Sequence, residues 1–170
     1  MPSLIAFSGL PGVGKSTIAR ALSERIQAVY VRVDAVEAAL KASVLIIHPA
    51  EDAGYRAAAA VARDNLTIGL DVVADTVNPV RETRALWAAI AAEAGARLVN
   101  VEVVCSDAGE HRRRVESRKS DIAGLSLPDW DAVQGRRFEP WMGDRLTLDT
   151  TELPIADCIA RITDYIASRT

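Results

Sequence analysis

The sequence predicts an α/β fold in which a parallel sheet is covered on both faces by helices. Two observations carry that expectation. Short apolar runs alternate with longer segments of helical periodicity from one end of the 170 residues to the other. Several of those runs are apolar at consecutive positions, as strands buried on both faces are, and end in a glycine or an acid.

Leu4 to Ser8 is the first strand, a wholly apolar run ending in glycines. From Lys15 onward Ile18, Ala19, Leu22 and Ile26 recur at helical spacing. Val29 to Val33 then reads as a second strand closing at Asp34, before a helix from Ala35 to Leu40. Glu51 to Leu70 is an alanine-rich helix, and Asp71 to Asp75 is the third strand, closed by an acid. Val80 to Ala94 forms a helix with Trp87 on its apolar stripe and Gly95 as its stop. Arg97 to Cys105 is a β-branched strand, and Asp107 to Lys119 a strongly charged helix. Ser120 to Pro128 is the least regular stretch, followed by a segment around Trp130. Arg145 to Leu148 is the last strand before Asp149, and Ile155 to Ala167 the closing amphipathic helix.

Length and composition bound what such a chain can do. One domain spanning 1–170 is expected, because the chain is long enough for one proper core and too short for two. Apolar residues at 49% against 25% charged match a globular protein and not a disordered one. A net charge of −3 provides no global field for nucleic acid. Cys105 and Cys158 stand far apart without metal or redox spacing, and both read as buried apolar residues. No leader-like start and no run of membrane-spanning length is present, so a cytoplasmic protein is expected, with no membrane partner.

Gly9-Leu10-Pro11-Gly12-Val13-Gly14-Lys15-Ser16 matches the P-loop pattern at every position, and it joins a strand to a helix as that motif requires. Its glycines let backbone N–H groups face phosphate oxygens, and the helix start at Lys15 adds positive potential. The Lys15 ammonium is then placed for the β- and γ-phosphates of ATP, and the Ser16 hydroxyl for Mg²⁺. Thr17 closes the nucleotide-binding stretch, although helix packing accounts for it as well.

Val72-Val73-Ala74-Asp75 ends in an aspartate placed to share the Mg²⁺ with Ser16, though an acid there also caps turns. Asp34, at the end of the second strand, is the candidate general base for an acceptor hydroxyl; an N-cap for the next helix would use the same residue type. Arg114 and Arg118 are spaced i,i+4 on the charged helix and would share a face able to grip phosphate, although a solvated charged face has the same composition. His48 and His111 have no ligand-spaced partners, so surface or capping roles are expected. Trp87, Trp130 and Trp141 read as core, yet Trp130 and Trp141 flank Arg136 and Arg137, a combination that could line a substrate pocket.

With Gly9 to Ser16, Asp34, Ala74-Asp75-Thr76-Val77-Asn78-Pro79 and Arg114-Val115-Glu116-Ser117-Arg118 taken together, the chain resembles the nucleoside-monophosphate-kinase-like P-loop kinases over nearly its whole length. Within that group it is similar to AAA-type predicted ATPases and kinases related to gluconate kinases, chloramphenicol phosphotransferases and the kinase domain of polynucleotide 5′-hydroxyl kinases. The resemblance implies a P-loop NTPase fold, three-layer α/β/α, with a five-stranded parallel sheet of order 2-3-1-4-5 and a short helical lid at about 112–128. It implies a base matching Asp34, a lid arginine matching Arg118, with Ser120 to Pro128 as the lid that follows it, and adenine near Thr150 to Pro154.

The activity expected is ATP-dependent transfer of the γ-phosphate to a hydroxyl of a small polar molecule of sugar-acid, nucleoside or antibiotic type, by a monomer or homodimer. The alternatives are a polynucleotide 5′-hydroxyl kinase and a non-catalytic ATP-binding switch or slow ATPase. Glu37 stands where the polynucleotide kinases carry a substrate-binding arginine, which disfavours nucleic acid. No Asn-Lys-x-Asp segment supports GTP.

Overall fold

The computed structural model describes residues 1–44, 49 and 51–169; His48 lies outside them. In chain order run β1 (Ser3–Ser8), α1 (Lys15–Ile26), β2 (Val29–Arg32), α2 (Val33–Lys41), α3 (Ala53–Thr67) and β3 (Val72–Asp75). The second half adds α4 (Arg81–Glu93), β4 (Arg97–Val104), α5 (Ala108–Ser117), α6 (Trp130–Gln134), β5 (Leu146–Asp149) and α7 (Ile155–Ala167).

Every strand pairing is parallel, and the sheet order β2-β3-β1-β4-β5 is the expected one. Strand period explains why β1 is apolar throughout. Leu4 and Ala6 face a core built with α3 and α4 around the fully buried Trp87, while Ile5 and Phe7 face a second core built with α1 and α7. Either face of β1 therefore has to be hydrophobic. From β1 the chain first fills one side of the sheet and later the other, so the carboxyl ends around β1 open a crevice at a topological switch point. The glycine-rich loop leaves β1 at that crevice.

Several boundaries differ from expectation, and three of the differences move or reshape an element. β2 stops at Arg32 and Val33 opens α2, so Asp34 lies in the first turn of a helix and does not close a strand. Val33 and Val36 pack on the α3 side of the sheet at helical spacing, which outweighs the β-branched alternation that favoured a strand. The alanine-rich helix starts two residues later than expected and ends at Thr67, before Gly69 at φ +91°. Lastly, α5 ends at Ser117 and Arg118 is extended, at φ −69° and ψ 148°. Arg114 and Arg118 thus do not share a helix face, and the expected lid span is helical only up to Ser117 before turning at Gly124.

Candidate active site

The loop between β1 and α1 is shaped by close approach. A Cβ on Gly9, at φ +141°, would come 2.2 Å from the Val103 carbonyl oxygen, and one on Gly12, at φ +89°, would come 2.5 Å from Val115 Cγ2. Neither position tolerates a side chain. The second contact also shows that α5 lies directly against the phosphate-binding loop. His111, one turn before Val115, is buried there with its Nε2 2.8 Å from the Pro11 carbonyl oxygen. A carbonyl only accepts, so Nε2 carries the proton. The Trp130 ring stands edge-on to the imidazole, centroids 5.1 Å apart. The surface or capping role expected for His111 is therefore wrong; the only two buried side chains of α5 are His111 and Val115, and both are used to seat the loop.

A cavity of about 720 Å³ opens above the loop, within the usual range of small-molecule sites. Its wall brings together Lys15, Ser16 and Thr17 from α1, Asp34 from α2, and Arg114 and Arg118 from the end of α5. Lys15 is buried, and its Nζ donates to the Leu10 carbonyl at 3.0 Å. Burial lowers its pKa from the usual range to about 8, with the carboxylates of Asp75 and Asp34 pulling the other way. Burial lowers the Arg118 guanidinium as well, against the attraction of Asp34. Two Arg118 nitrogens, Nε and one terminal amine, are buried without a hydrogen-bond partner among the described residues. A half-buried cation with two buried, unmet donors beside a phosphate loop is what an anionic ligand would complete.

Asp75 ends β3 where the crevice opens but is held behind the cavity wall. Tyr30 donates its hydroxyl to Asp75 Oδ2 at 2.7 Å, and Arg32 Nε stands 3.7 Å from the same oxygen. Burial, followed by the neighbouring carboxylate, raises the Tyr30 hydroxyl well above its usual range, which keeps it a donor. Ser16 and Asp75 offer a hydroxyl and a carboxylate, the oxygen donors that suit a hard divalent ion such as Mg²⁺. Among the described residues no group of three or more His, Cys, Asp or Glu could hold a metal without phosphate oxygens.

A second cavity of about 460 Å³ lies on the other side of Arg114, lined by Thr17, Ile18, Leu153, Pro154 and Ile155. Thr17 is exposed and borders both cavities, so helix packing does not account for it. Arg114 forms the partition. Glu110 Oε1 accepts from its Nε at 2.7 Å, and the Thr150 hydroxyl and carbonyl accept from its terminal amines at 2.8 and 3.1 Å. The Thr150 hydroxyl in turn donates to the Val13 carbonyl at 2.8 Å. One residue of the loop after β5 therefore ties α5 to the phosphate loop, and sequence reasoning gave it no role beyond lying near adenine.

The segment after α5 is also tied down. Asp121 accepts from Arg32 at 2.8 and 2.9 Å and from Arg20 at 2.8 Å, contacts that hold its carboxyl down to about 2. Arg136 borders the main cavity, whereas Arg137 pairs with Glu139 outside it. Trp130 and Trp141 are not among the described residues lining that cavity; Trp141 stacks under the Arg84 guanidinium at 4.3 Å. Cys158 is buried as expected, but Cys105 is only half-buried, with its thiol 3.3 Å from the Thr151 hydroxyl.

A family profile described as "AAA domain" matches residues 4–140. No curated protein matches the chain. Among solved structures, the APS kinase of Mycobacterium tuberculosis in complex with AMPPNP and APS is similar at TM-score 0.71 and 19% identity, over 98% of each chain. A gluconokinase of Sinorhizobium meliloti is similar at TM-score 0.64 and 21% identity, over 99% of this chain and 98% of that one. Chaetomium thermophilum Kti12 in complex with ADP-AlF3 is similar at TM-score 0.69 and 21% identity, over 95% of this chain and 97% of that one. At such identities the likeness is one of fold. No helix among the described residues is long and apolar enough to cross a membrane. With four-fifths of its length matched, the chain belongs to the AAA-domain family of P-loop proteins, and its fold is that of the nucleoside-monophosphate-kinase-like kinases.

Proposed function

We propose that this protein is an ATP-dependent phosphotransferase that moves the γ-phosphate of ATP to a hydroxyl of a small polar acceptor. The observation that carries the reading is that one cavity wall holds a P-loop lysine, Lys15, a carboxylate from α2, Asp34, and the Arg118 guanidinium, two nitrogens of which lack a hydrogen-bond partner among the described residues. Two structures sharing the fold are named as kinases.

In this reading the backbone of Gly9 to Gly14 cradles the phosphates and the base occupies the cavity beyond Arg114. Ser16 and Asp75 would hold Mg²⁺, which neutralises phosphate charge when bound. Lys15 leaves the Leu10 carbonyl for the β- and γ-phosphate oxygens. Asp34 accepts the hydroxyl proton as the acceptor oxygen bonds to the γ-phosphorus, and the bond from that phosphorus to the β–γ bridging oxygen breaks to release ADP. Arg118 stabilises charge on the transferring group, and the segment from Ser120 to Pro128 excludes water. A protein acting in the cytoplasm and binding no nucleic acid fits the same picture.

Asp34→Asn tests it, being nearly isosteric. Binding of a non-hydrolysable ATP analogue is expected to stay within about threefold of wild type, while transfer to an acceptor falls by about 10²- to 10⁴-fold, the usual contribution of a general base. Transfer that survives the substitution rules Asp34 out as the base.

A further inference from the structure

Arg84, one turn into α4, is not among the described residues that line the main cavity, yet it joins two stretches of chain that do. Its Nε donates to the Asn78 carbonyl at 3.1 Å, and one terminal amine donates to the Pro79 and Glu139 carbonyls at 3.3 and 2.7 Å. The other terminal amine donates to the Pro140 carbonyl at 3.1 Å. The guanidinium also lies over the Trp141 and Phe138 rings, 4.3 and 5.3 Å from their centroids. An arginine ordinarily turns its fork to a carboxylate, a phosphate or water; this one turns all its nitrogens to main-chain carbonyls, a planar arrangement that lysine cannot reproduce.

The first stretch follows β3 and includes Val77, which borders the cavity. Asn78, next in the chain, is fully buried at φ +51°, in the left-handed region, and its side-chain amide has no hydrogen-bond partner among the described residues. A residue other than glycine keeps such a backbone only where its surroundings over-determine it, and such places gather at functional sites. Here the Tyr55 hydroxyl accepts from the Asn78 N–H at 2.9 Å while Arg84 takes the Asn78 carbonyl, so the backbone is pinned on both sides of the residue.

The second stretch follows α6. Arg136 borders the same cavity, and residues 136–145 form neither helix nor strand, so their placement depends on what they touch. From Phe138 to Trp141 they touch α4 and the chain leading into it. Besides the bonds to Arg84, the Glu139 N–H donates to the Pro79 carbonyl at 2.8 Å, and Glu139 Oε2 accepts from the Arg81 N–H at 2.9 Å. Arg84 stands at the centre of this clasp, bonded to both stretches.

We propose that Arg84 is a positioning residue for the acceptor: by clasping the chain after α6 to the loop after β3, it fixes Val77 and Arg136 in the cavity wall without itself touching substrate. This rests on the kinase reading and adds to it a residue outside the cavity on which acceptor use depends. A hydroxyl must be held close to the γ-phosphorus and in line with the breaking bond, and a displacement of about 1 Å can cost about 10²-fold in rate. The phosphate loop is seated differently, by His111 and Thr150, which follow β4 and β5 on the other side of β1. Gly9 shares one hydrogen bond with Val77 but is set by β1 and by its contact with Val103. Acceptor use and nucleotide binding should therefore separate when the clasp is weakened.

The test measures phosphate transfer from labelled ATP to an acceptor panel of glucitol, gluconate, adenosine, chloramphenicol and a 5′-hydroxyl oligonucleotide, in wild type, Arg84→Gln and Arg84→Lys. For the acceptor that wild type uses best, Arg84→Gln is expected to lower kcat/KM by about 10- to 10²-fold, while the Kd of a non-hydrolysable ATP analogue stays within about threefold. Arg84→Lys keeps the cation over the rings but loses the fork, and should recover part of the loss. Hydrogen exchange over residues 136–142 should accelerate in Arg84→Gln and stay unchanged over the phosphate loop. Trp141→Leu, which removes one ring from the guanidinium and leaves α4 intact, should move the same quantities in the same direction by a smaller factor. Acceptor kcat/KM unchanged in all three variants, or nucleotide affinity lost to the same extent as acceptor use, would overturn the inference and leave the kinase reading standing. Wild-type protein that turns over ATP and phosphorylates no acceptor would overturn the kinase reading, and the inference with it.

Discussion

Lys15 shows how a single residue sets the chemistry of the candidate site. Its ammonium is buried and rests on its own loop, and burial brings its pKa down to about 8. Below that pH the amine is already charged, so nucleotide affinity is expected to be flat below about pH 7. Above it the free protein loses the proton, the phosphates restore it on binding, and the apparent Kd should weaken by up to about tenfold per pH unit. Calorimetry in buffers of different ionisation enthalpy checks this, because proton uptake should appear on binding above pH 8 and vanish in Lys15→Met. A flat profile to pH 10 would contradict it. Lys15, Ser16 and the glycines were legible in the sequence because the P-loop spacing fixes them locally. His111 was not, since its partner, the Pro11 carbonyl, lies a hundred residues away and no local spacing encodes that contact. A signal existed: along α5, flanked by charged residues, His111 and Val115 are the i,i+4 pair without a full charge.

Elements carry the site through their ends. α5 brings His111 and Val115 to the loop and Arg114 to the partition, then stops, and Asp121 fastens the following segment to Arg20 of α1 and Arg32 of β2. Asp121 is half exposed, and such ion pairs contribute only about 0.2–1 kcal/mol each. With two pairs lost, Asp121→Asn is therefore expected to lower Tm by no more than about 8 °C. Hydrogen exchange over residues 119–128 should nevertheless accelerate by about tenfold, as the closed segment opens more often. Unchanged exchange there would show that the segment is held by something else. The irregular stretch was recognisable by its composition, but the latch was not. It joins three elements whose proximity follows from sheet order, and nothing near Asp121 in sequence announces it. The misplacement of Asp34 has the opposite origin, because Val29, Val31 and Val33 alternate locally like a strand while packing against α3 turns the last of them into a helix start.

At the scale of the molecule, one parallel sheet supplies both cores, with Leu4 and Ala6 turned to one and Ile5 and Phe7 to the other. Damage to either face should then destabilise both. Trp87→Ala, which empties the centre of the α4 face, is expected to cost about 3–5 kcal/mol. Chemical denaturation followed by Trp fluorescence and by circular dichroism should give one coincident transition in wild type; two separated transitions would divide 1–170 into independent units. The sheet order was legible because alternating elements and a P-loop leave few topologies open. Acceptor chemistry was not, since Glu37 and Lys41 of α2 meet Arg136, from the chain after α6, only across the cavity, and specificity lives in such sites and not in folds. The measurement that bears most directly on the central claim follows the γ-phosphate of labelled ATP with purified protein, Mg²⁺ and the acceptor panel. Phosphotransfer predicts label on an acceptor hydroxyl, with ADP formed in equal amount and inorganic phosphate a minor product. Label released only as inorganic phosphate, or retained in ATP with every acceptor, would contradict it.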